Sequence, residues 1–423
     1  MKSLRILMFT TFYPPYSFGG DAVGVQRMAR ALAARGHQVT VVHDEDAYLS
    51  LGGAMPDGPA AADGVRAVGL RSRHGMVSNL LTQQTGHPVV HRKRIRAVLD
   101  AGPWDLIWYN NTSLVGGPGL LGMGTGLKIY EAHEHWLVCP THVLWRYNSE
   151  LCDKRDCTRC VLSYRRPPQL WRYTGMLDKA LDQVDLIIAK SEFSRAKHRE
   201  FGLRQEMVVL PYFLPDIAVT ATKGFSGHPR PYFLFVGRLE KIKGLQDVFP
   251  AFDRYPDADL LILGDGDYGA ELRRLAAGNP RIVFLGRKPP DELNEYYRGA
   301  LGLIVPSVCY ETFGIILIES FRLGTPVIAR RLGPFPEIMD QAQGGALFGT
   351  EAELLAAMAS LQGDPAHRAR LAANARRGFE QVWREDRVLA AYGAVLARAA
   401  HSRGDRALAA ALEAGAFERG AGA

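Results

Sequence analysis

Apolar residues fall in two spacings along the first 45 positions. "LRILMFT" is a short continuous apolar run, the pattern of a strand covered on both faces. After the polar loop "TFYPPYSFGGDA", Val25, Met28, Ala29 and Leu32 recur at i, i+3, i+4 and i+7, which places them on one face of a helix, and Gly36 supplies the stop. "QVTVVH" then reads as a second strand. The chain therefore opens with a β-loop-α-β unit, the start of a parallel sheet.

The alternation continues. "VRAVGL", "DLIWYN", "LKIYEA", "DLIIAKS" and "MVVLPY" are further strand candidates, several separated by helical stretches such as "GMLDKALDQV". The segment "LPDIAVTATKGFSGHPRP" is polar, holds Gly and Pro, and has little periodicity, so it reads as a linker. A second series runs through "YFLFVGR", "ADLLILGDG", "RIVFLGR", "LGLIVPS" and "TPVIARR", with helices "GAELRRLA" and "PDELNEYYRGA" between them.

These elements predict an α/β chain of two Rossmann-like, doubly wound parallel-sheet domains, facing each other across a cleft where ligands of open α/β sheets bind. The expected bounds are 1–213 for the first domain, 214–230 for the linker and 231–382 for the second domain. A helix at 383–400 is expected to pack back on the first domain. The Ala/Gly-rich tail, 401–423, reads as a frayed helix with a disordered end. A length of 423 residues agrees with two domains, since single cores usually stop growing at about 250 to 300.

Composition narrows the class without choosing a function. With 47% hydrophobic and 22% charged residues the chain is neither disordered nor fibrous. The start, "MKSLRILMFTTFYPPYS", breaks at Pro14 and Pro15 without a cleavage-like site and reads as a strand, not a signal peptide. No stretch reaches the ~18 apolar residues of a membrane span. The expected location is cytoplasmic, with peripheral contact at the inner face of a membrane left open.

A net charge of +7 permits an anionic partner. The densest basic run, "HRKRIRAVLD" at His91 to Asp100, reads either as a solvated helix face or as a surface for an acceptor phosphate or an anionic membrane.

Chemistry concentrates in the second half. "FVGRLEKIKG" places Arg238 just after a strand and Lys243 five residues on, in a loop closed by Gly244. Two cations there suit a bridging diphosphate, or a surface ion pair. In "VPSVCYETFGIILIESFRLGTPVIA" a strand ends at Ser307 and a helix starts near Gly314 and Ile315, so its first N–H groups can face an anion. Glu311 precedes that helix and Glu319 lies inside an otherwise apolar part of it. Buried carboxylates need partners. Hydroxyls of a sugar at Glu311 and of a ribose at Glu319 would serve, as would a nearby Arg for Glu319.

Three other features compete for attention. "DED" at Asp44 to Asp46 follows a strand, reads as a surface loop and is taken as incidental. The glycine cluster "GGPGLLGMGTG", Gly116 to Gly126, lacks the Lys-Ser/Thr ending of a phosphate loop and reads as a loop or a closely packed Gly-rich helix. Four of the five cysteines, Cys139, Cys152, Cys157 and Cys160, lie in the polar stretch 139–160 that follows "YEAHEHW". They predict a structural zinc site, with an iron–sulfur cluster or labile thiols as the other readings. Cys309 stands apart and reads as a small buried side chain.

Taken together, "PPYSFGGDAVGVQRMARALAARGHQVTVV", "GRLEKIKG", "LGDGDYGAEL", "FLGRKPPDEL" and "VPSVCYETFGIILIESFRLGTPVIA" resemble the family-four retaining glycosyltransferases, group 1 enzymes of GT-B architecture. The match runs in order from about residue 4 to 395. The resemblance implies a nucleotide-diphosphate sugar donor held by the second domain. Arg238 and Lys243 would contact the diphosphate and Glu319 the ribose. Glu311 and the Phe313, Gly314 and Ile315 backbone would contact the sugar and phosphate. Arg287 would lie near the nucleobase, with Thr312 shaping the sugar pocket. Gly19 and Gly20 match the family's glycine loop, and His133 its histidine near the transferred sugar. Glu134 stands where relatives often have Asp, a departure from the pattern.

The resemblance further implies retention of configuration by front-face attack, the departing phosphate taking the acceptor's proton, with no catalytic metal. The acceptor would be a hydroxyl of a glycan, a lipid-linked saccharide or a natural product, as in polysaccharide biosynthesis. Two other readings stand beside this one. One is a sugar-nucleotide-binding partner without catalysis. The other is a zinc-containing nucleic-acid-binding protein, disfavoured by dispersed basic residues, so no nucleic-acid partner is expected.

Overall fold

The computed structural model describes residues 2–56, 63–217 and 228–418. Positions 218–227 of the expected linker and 419–423 of the tail lie outside the described residues. The chain divides into two compact units, one formed by residues 1–211 with 388–423 and the other by 212–387.

The first unit holds seven parallel strands: β1 (Arg5–Thr10), β2 (Gln38–Asp44), β3 (Val65–Leu70), β4 (Leu106–Tyr109), β5 (Leu127–Ala132), β6 (Leu186–Ala189) and β7 (Met207–Val209). Their order is β3-β2-β1-β4-β5-β6-β7. Helix α1 (Gly20–Ala33) buries Val25, Met28, Ala29 and Leu32, the face read from their spacing. Three further helices bear on the argument: α2 (Glu45–Ser50), α3 (Gly75–Thr85) and α4 (Arg92–Asp100). In α4 Ile95 is buried while Arg92, Lys93, Arg94 and Arg96 are exposed.

The tail departs from its expected fraying. The helix Glu385–Arg403 is followed by a further helix, Arg406–Glu413, which buries Leu408, Ala409 and Leu412. Phe417 is buried too, beside a hydrogen-bond contact between His37 Nε2 and the Ala416 carbonyl at 2.6 Å. Leu408 and Leu412 are one turn apart, and that pair is what converts an Ala-rich segment into a packed one.

The second unit has six parallel strands: β8 (Tyr232–Val236), β9 (Asp259–Leu263), β10 (Ile282–Gly286), β11 (Gly302–Val305), β12 (Val327–Arg330) and β13 (Gly345–Phe348), in the order β10-β9-β8-β11-β12-β13. The two faces of this sheet carry separate apolar clusters, one built around Leu234, Leu317 and Phe321 and the other around Phe233, Phe252 and Ile262. β13 was not among the predicted strands: its "GALF" is short and Gly-led, too weak a pattern to separate from a loop. Among the described residues no helix is long and apolar enough to cross a membrane.

Candidate active site

Strand order reverses in the second unit between β8, which pairs with β9 on one side, and β11 on the other. The carboxyl ends of parallel strands leave a crevice at such a point. Gly237 and Arg238 leave β8 there, and Pro306 and Ser307 leave β11. Val308 N–H donates to the Ile242 carbonyl at 2.9 Å and ties the two loops together. Gly244 permits this approach: its φ is 68°, and a Cβ would stand 2.1 Å from the Pro306 carbonyl oxygen.

The approach delivers Lys243 to Glu311. Lys243 Nζ donates to Glu311 Oε1 at 2.7 Å, and Ser307 Oγ donates to the same oxygen at 3.0 Å. Burial acts to raise the Glu311 carboxyl, but the Lys243 charge and hydrogen bond, the Ser307 hydroxyl and the Arg238 charge outweigh it and hold it below its ordinary value. Lys243 is held above its ordinary value, because the pull of Glu311 exceeds the opposing effect of burial. Both groups are therefore charged at neutral pH. Arg238 is exposed, with its Nη1 2.8 Å from Glu240 Oε1.

The helix Ile315–Arg322 starts directly after this turn. Gly314 precedes it at a φ of 106°, and a Cβ there would meet the Phe335 ring at 2.6 Å. Gly314 brings no side-chain cap, so the positive end of the helix is dressed by backbone alone. Phe313 is buried edge-on against Tyr212, with ring centroids 5.5 Å apart, which fixes the turn, and Thr312 is half-buried within it. In the second turn Glu319 accepts a hydrogen bond from Tyr297 Oη at 3.3 Å, and the Arg322 guanidinium lies close enough to feel its charge.

The structure thus gathers Arg238, Lys243, Glu311, Thr312, Phe313, Gly314, Ile315 and Glu319 on loops and a helix leaving two adjacent strands. Arg287 is not among them: it is exposed at the end of β10, the far strand of the sheet, separated from β8 by β9. Sequence reasoning missed Ser307 and Tyr297 as partners of the two carboxylates. Ser307 carried a signal, as the first polar residue after a strand, whereas nothing marked Tyr297.

The first unit has its own reversal, between β1 and β4. Beyond it Thr11 N–H donates to the Asn111 carbonyl at 2.6 Å. Asn110 Nδ2 donates to the Phe9 carbonyl at 3.2 Å, which orients its amide so that Oδ1 faces His133 Nε2 at 2.9 Å. That network assigns the proton of a neutral His133 to Nε2. Burial pushes the imidazole down to about 4, against the opposing pull of Glu131.

Asp21, in the first turn of α1, is close enough for its charge to reach His133, so the Gly19-Gly20 loop and His133 share one end of the sheet. Gly19 is extended, and a Cβ on Gly20 would meet nothing within 4 Å. Packing among the described residues does not require glycine at position 20. Behind His133 lies a buried network: Lys190 pairs with Glu131 Oε1, Tyr392 Oη donates to the same oxygen at 3.0 Å, and Trp108 Nε1 donates to Oε2 at 2.7 Å.

Phe12, Tyr13, Tyr16, Phe18, His43 and Tyr48 form a chain of ring contacts beside the glycine loop, 4.7 to 6.0 Å between centroids. The rings come from two separated segments, which is why no single stretch of sequence showed the group.

Two expectations need correction. The four cysteines lie in one region, and burial together with the other three thiols pushes Cys152 up to about 11. Three of the sulfurs have local contacts, however: Cys139 Sγ is 3.3 Å from Thr141 Oγ1, Cys160 Sγ accepts from Tyr147 N–H at 3.4 Å, and Cys152 Sγ faces the Lys154 carbonyl at 3.7 Å. Among the described residues no three of these sulfurs lie within 4.8 Å of one another. The geometry does not support the expected zinc site. Spacing gathered the thiols without setting them at ligating distance.

The second correction concerns "DED". Asp44 and Asp46 are buried, at 1% and 3% exposure. Asp44 Oδ1 caps α2 by accepting from Ala47 N–H at 2.9 Å, and burial pushes its carboxyl up to about 8. The loop folds inward because the first Asp is a helix cap and the second is a hydrogen-bond acceptor for the segment before α3.

Residues 19–212 match the model of the Glycosyl transferase 4-like domain, and residues 220–378 match that of Glycosyl transferases group 1. The chain belongs to the group 1 glycosyltransferases. A phosphatidyl-myo-inositol mannosyltransferase of Mycobacterium leprae is 27% identical over 88% of this chain and 91% of its own length. Sulfoquinovosyl transferase of Arabidopsis thaliana is 35% identical, but over only 28% of this chain and 23% of its own. Sucrose-phosphate synthase from Thermosynechococcus elongatus superposes with a TM-score of 0.71 at 19% identity, over 94% of this glycosyltransferase and 100% of that chain. Anabaena HepE in complex with UDP-glucose gives a TM-score of 0.63 at 17% identity, over 95% and 99%. At these identities the structural likeness shows the fold, the GT-B architecture of two α/β units.

Proposed function

We propose that the chain transfers a sugar from a nucleotide-diphosphate donor to a hydroxyl acceptor with retention of configuration. The observation that carries this reading is the Lys243–Glu311–Ser307 constellation at the reversal point of the second sheet, beside the start of a helix. Two cations and a helix N-terminus can take the charge that grows on a leaving diphosphate, so the reading assigns no catalytic metal. Arg238 and Lys243 hold the diphosphate, Glu319 the ribose, and Glu311 with the Phe313 to Ile315 backbone the sugar, with Thr312 shaping its pocket. Arg287 is assigned to the nucleobase end. The UDP-glucose bound to HepE supports a nucleotide sugar of this kind.

In the first unit, Gly20 leaves room for a ligand, Gly19 is assigned beside it, and His133, a neutral imidazole, is assigned a catalytic role. The ring cluster from Phe12 to Tyr48 supplies an apolar wall for an acceptor. The acceptor is proposed to lie at an anionic membrane surface. That is supported by the exposed bases of α4 and by exposed Met76, Val77 and Leu80 on α3.

A thermal-shift panel of uridine-, guanosine-, adenosine- and thymidine-diphosphate sugars tests the donor, because a ligand that binds only the folded state raises the midpoint. One nucleotide sugar should stand out, and NMR of its transfer product should show the donor's anomeric configuration. No shift with any of them, or an inverted product, would remove the reading.

A further inference from the structure

Asp44, Asp46 and His91 have no role in the proposed transfer chemistry, although His43, Tyr48 and α4 of the proposed acceptor side are their neighbours in the chain. The three are 1%, 3% and 4% exposed. Each offers a ligand atom within 4.8 Å of the other two, the only such trio among the described residues. His91 Nε2 and Asp46 Oδ2 are 2.9 Å apart, a separation two ligands of one ion can hold.

The support for the trio comes from its surroundings. Asp44 Oδ1 is used by the Ala47 N–H, while Oδ2 is buried with no hydrogen-bond partner among the described residues. A buried carboxyl oxygen without a hydrogen-bond partner is costly, and a cation taken up in exchange for the carboxyl proton, which leaves to solvent, would satisfy it. Asp46 is oriented from behind: Ser72 Oγ donates to Oδ2 at 2.6 Å, and Ser72 N–H lies 3.0 Å from each oxygen. Such outer hydrogen bonds are what fix a ligating carboxylate. Gly75 keeps the approach narrow, since a Cβ there would fall 2.9 Å from Asp46 Oδ1.

We propose that Asp44, Asp46 and His91 bind one divalent transition-metal cation, in a structural site outside the transfer chemistry. Two carboxylates with an imidazole suit manganese or zinc better than magnesium or calcium, which favour oxygen alone. Binding takes His91 in its neutral Nδ1–H tautomer: the proton leaves Nε2 while Nδ1 takes one up, so the imidazole loses no net proton and the Nε2 lone pair becomes the ligand. The ion ties the end of β2 and the start of α2 to the first residue before α4. The basic helix is thereby anchored to the sheet at its N-terminus.

The test uses the full chain, treated with EDTA, desalted and titrated with MnCl2 without nucleotide, reading free Mn2+ by EPR. Manganese is chosen because thiolates select zinc, so the cysteine region does not compete. One saturable site per chain is expected. Asp44→Asn keeps an acceptor for the Ala47 N–H and removes the charge, and His91→Gln removes the imidazole. Each should weaken Mn2+ at least tenfold, while Ser72→Ala weakens it about 10-fold through its orienting role. Lys243→Ala, in the other unit, should leave it unchanged.

Wild-type midpoint in EDTA should rise on adding Mn2+, and Asp44→Asn should match the wild type in EDTA without responding to the metal. Should Asp44→Asn fail to fold, His91→Gln and the wild-type midpoint decide. Absence of a saturable site, or Mn2+ binding untouched by His91→Gln, would overturn the proposal whatever the fate of the transfer reaction.

Discussion

Lys243 Nζ lies 2.7 Å from Glu311 Oε1, and Ser307 Oγ shares that oxygen at 3.0 Å, so the carboxylate proposed to hold the donor sugar is already held by the residue proposed to hold its diphosphate. On the proposed assignment, a phosphate entering the crevice would compete with Glu311 for Lys243, and a sugar hydroxyl would replace the lysine at Glu311. The pair would then be a placeholder that keeps both side chains where the donor needs them.

Glu311→Ala separates this role from a structural one. Both side chains are roughly a fifth exposed, at 24% and 21%, and pairs of that kind contribute on the order of 0 to 1 kcal/mol to stability. The thermal midpoint should therefore move little, while kcat/KM for transfer falls by at least about 100-fold, the scale of losing one positioned group. Steady-state kinetics beside a melting curve checks this. A variant that melts normally and transfers normally would free Glu311 of any part in the reaction.

Glu319→Ala should behave differently. Its hydrogen bond from Tyr297 Oη is long, at 3.3 Å, and comes from a neutral donor, so that contact yields to a ribose at little cost. Losing a charged hydrogen bond costs about 1.5–3 kcal/mol, or roughly 10- to 150-fold in binding. The donor KM should rise by that factor with kcat nearly unchanged, because the ribose is remote from the reacting carbon. Calorimetry with the nucleoside diphosphate alone should show the same loss.

The two sheets were legible because parallel strands covered on both faces are written as continuous apolar runs, and "LRILMFT" or "YFLFV" admit few other readings. The site was legible where chemistry conflicts with burial, as at Glu311 and Glu319. It was not legible where partners come from distant segments: Lys243 and Glu311 are 68 positions apart, and His91 lies 45 from Asp46. "DED" failed for the same reason, since its inward turn depends on Ser72 and His91. The cysteines failed in the opposite sense, because spacing names possible ligands but does not set the distances between sulfurs.

Lys190→Met should be the most damaging single change in the first unit. Glu131 is fully enclosed; burial alone would raise its carboxyl, but the charge and hydrogen bond of Lys190 help hold it below its ordinary value. Removing one partner of a buried pair strands the other, at a cost of about 3–5 kcal/mol. Tyr392→Phe deletes the hydrogen bond to Glu131 and the one accepted from Lys190 Nζ at 2.8 Å, yet leaves the ion pair in place, and should cost about 1–3 kcal/mol. Chemical denaturation at pH 7.5 ranks the two. Equal, small effects would mean that Glu131 is neutral in the fold and the pair is not ionic.

Acid should unfold the protein through its buried imidazoles. His43, His133 and His198 are each pushed down from 6.5 to about 4, chiefly by burial. Between those values the unfolded chain binds protons that the folded chain refuses, so stability is complete above about 6.5 and is lost as pH falls toward 4. Each group accounts for a few kcal/mol at most, on the order of 1.4 kcal/mol per unit of pKa. Glu131 adds to the trend, its depressed carboxyl losing its contribution at lower pH still, whereas the raised Asp44 works against it. His198 offers the cleanest check, since its Nδ1 lies 2.8 Å from the Ser194 carbonyl while Nε2 has no hydrogen-bond partner among the described residues. His198→Gln cannot take up the proton. Its midpoint at pH 7.5 should fall with the lost packing, yet the slope of midpoint against pH between 6.5 and 4 should be shallower than in the wild type. An unchanged slope would place the acid response elsewhere.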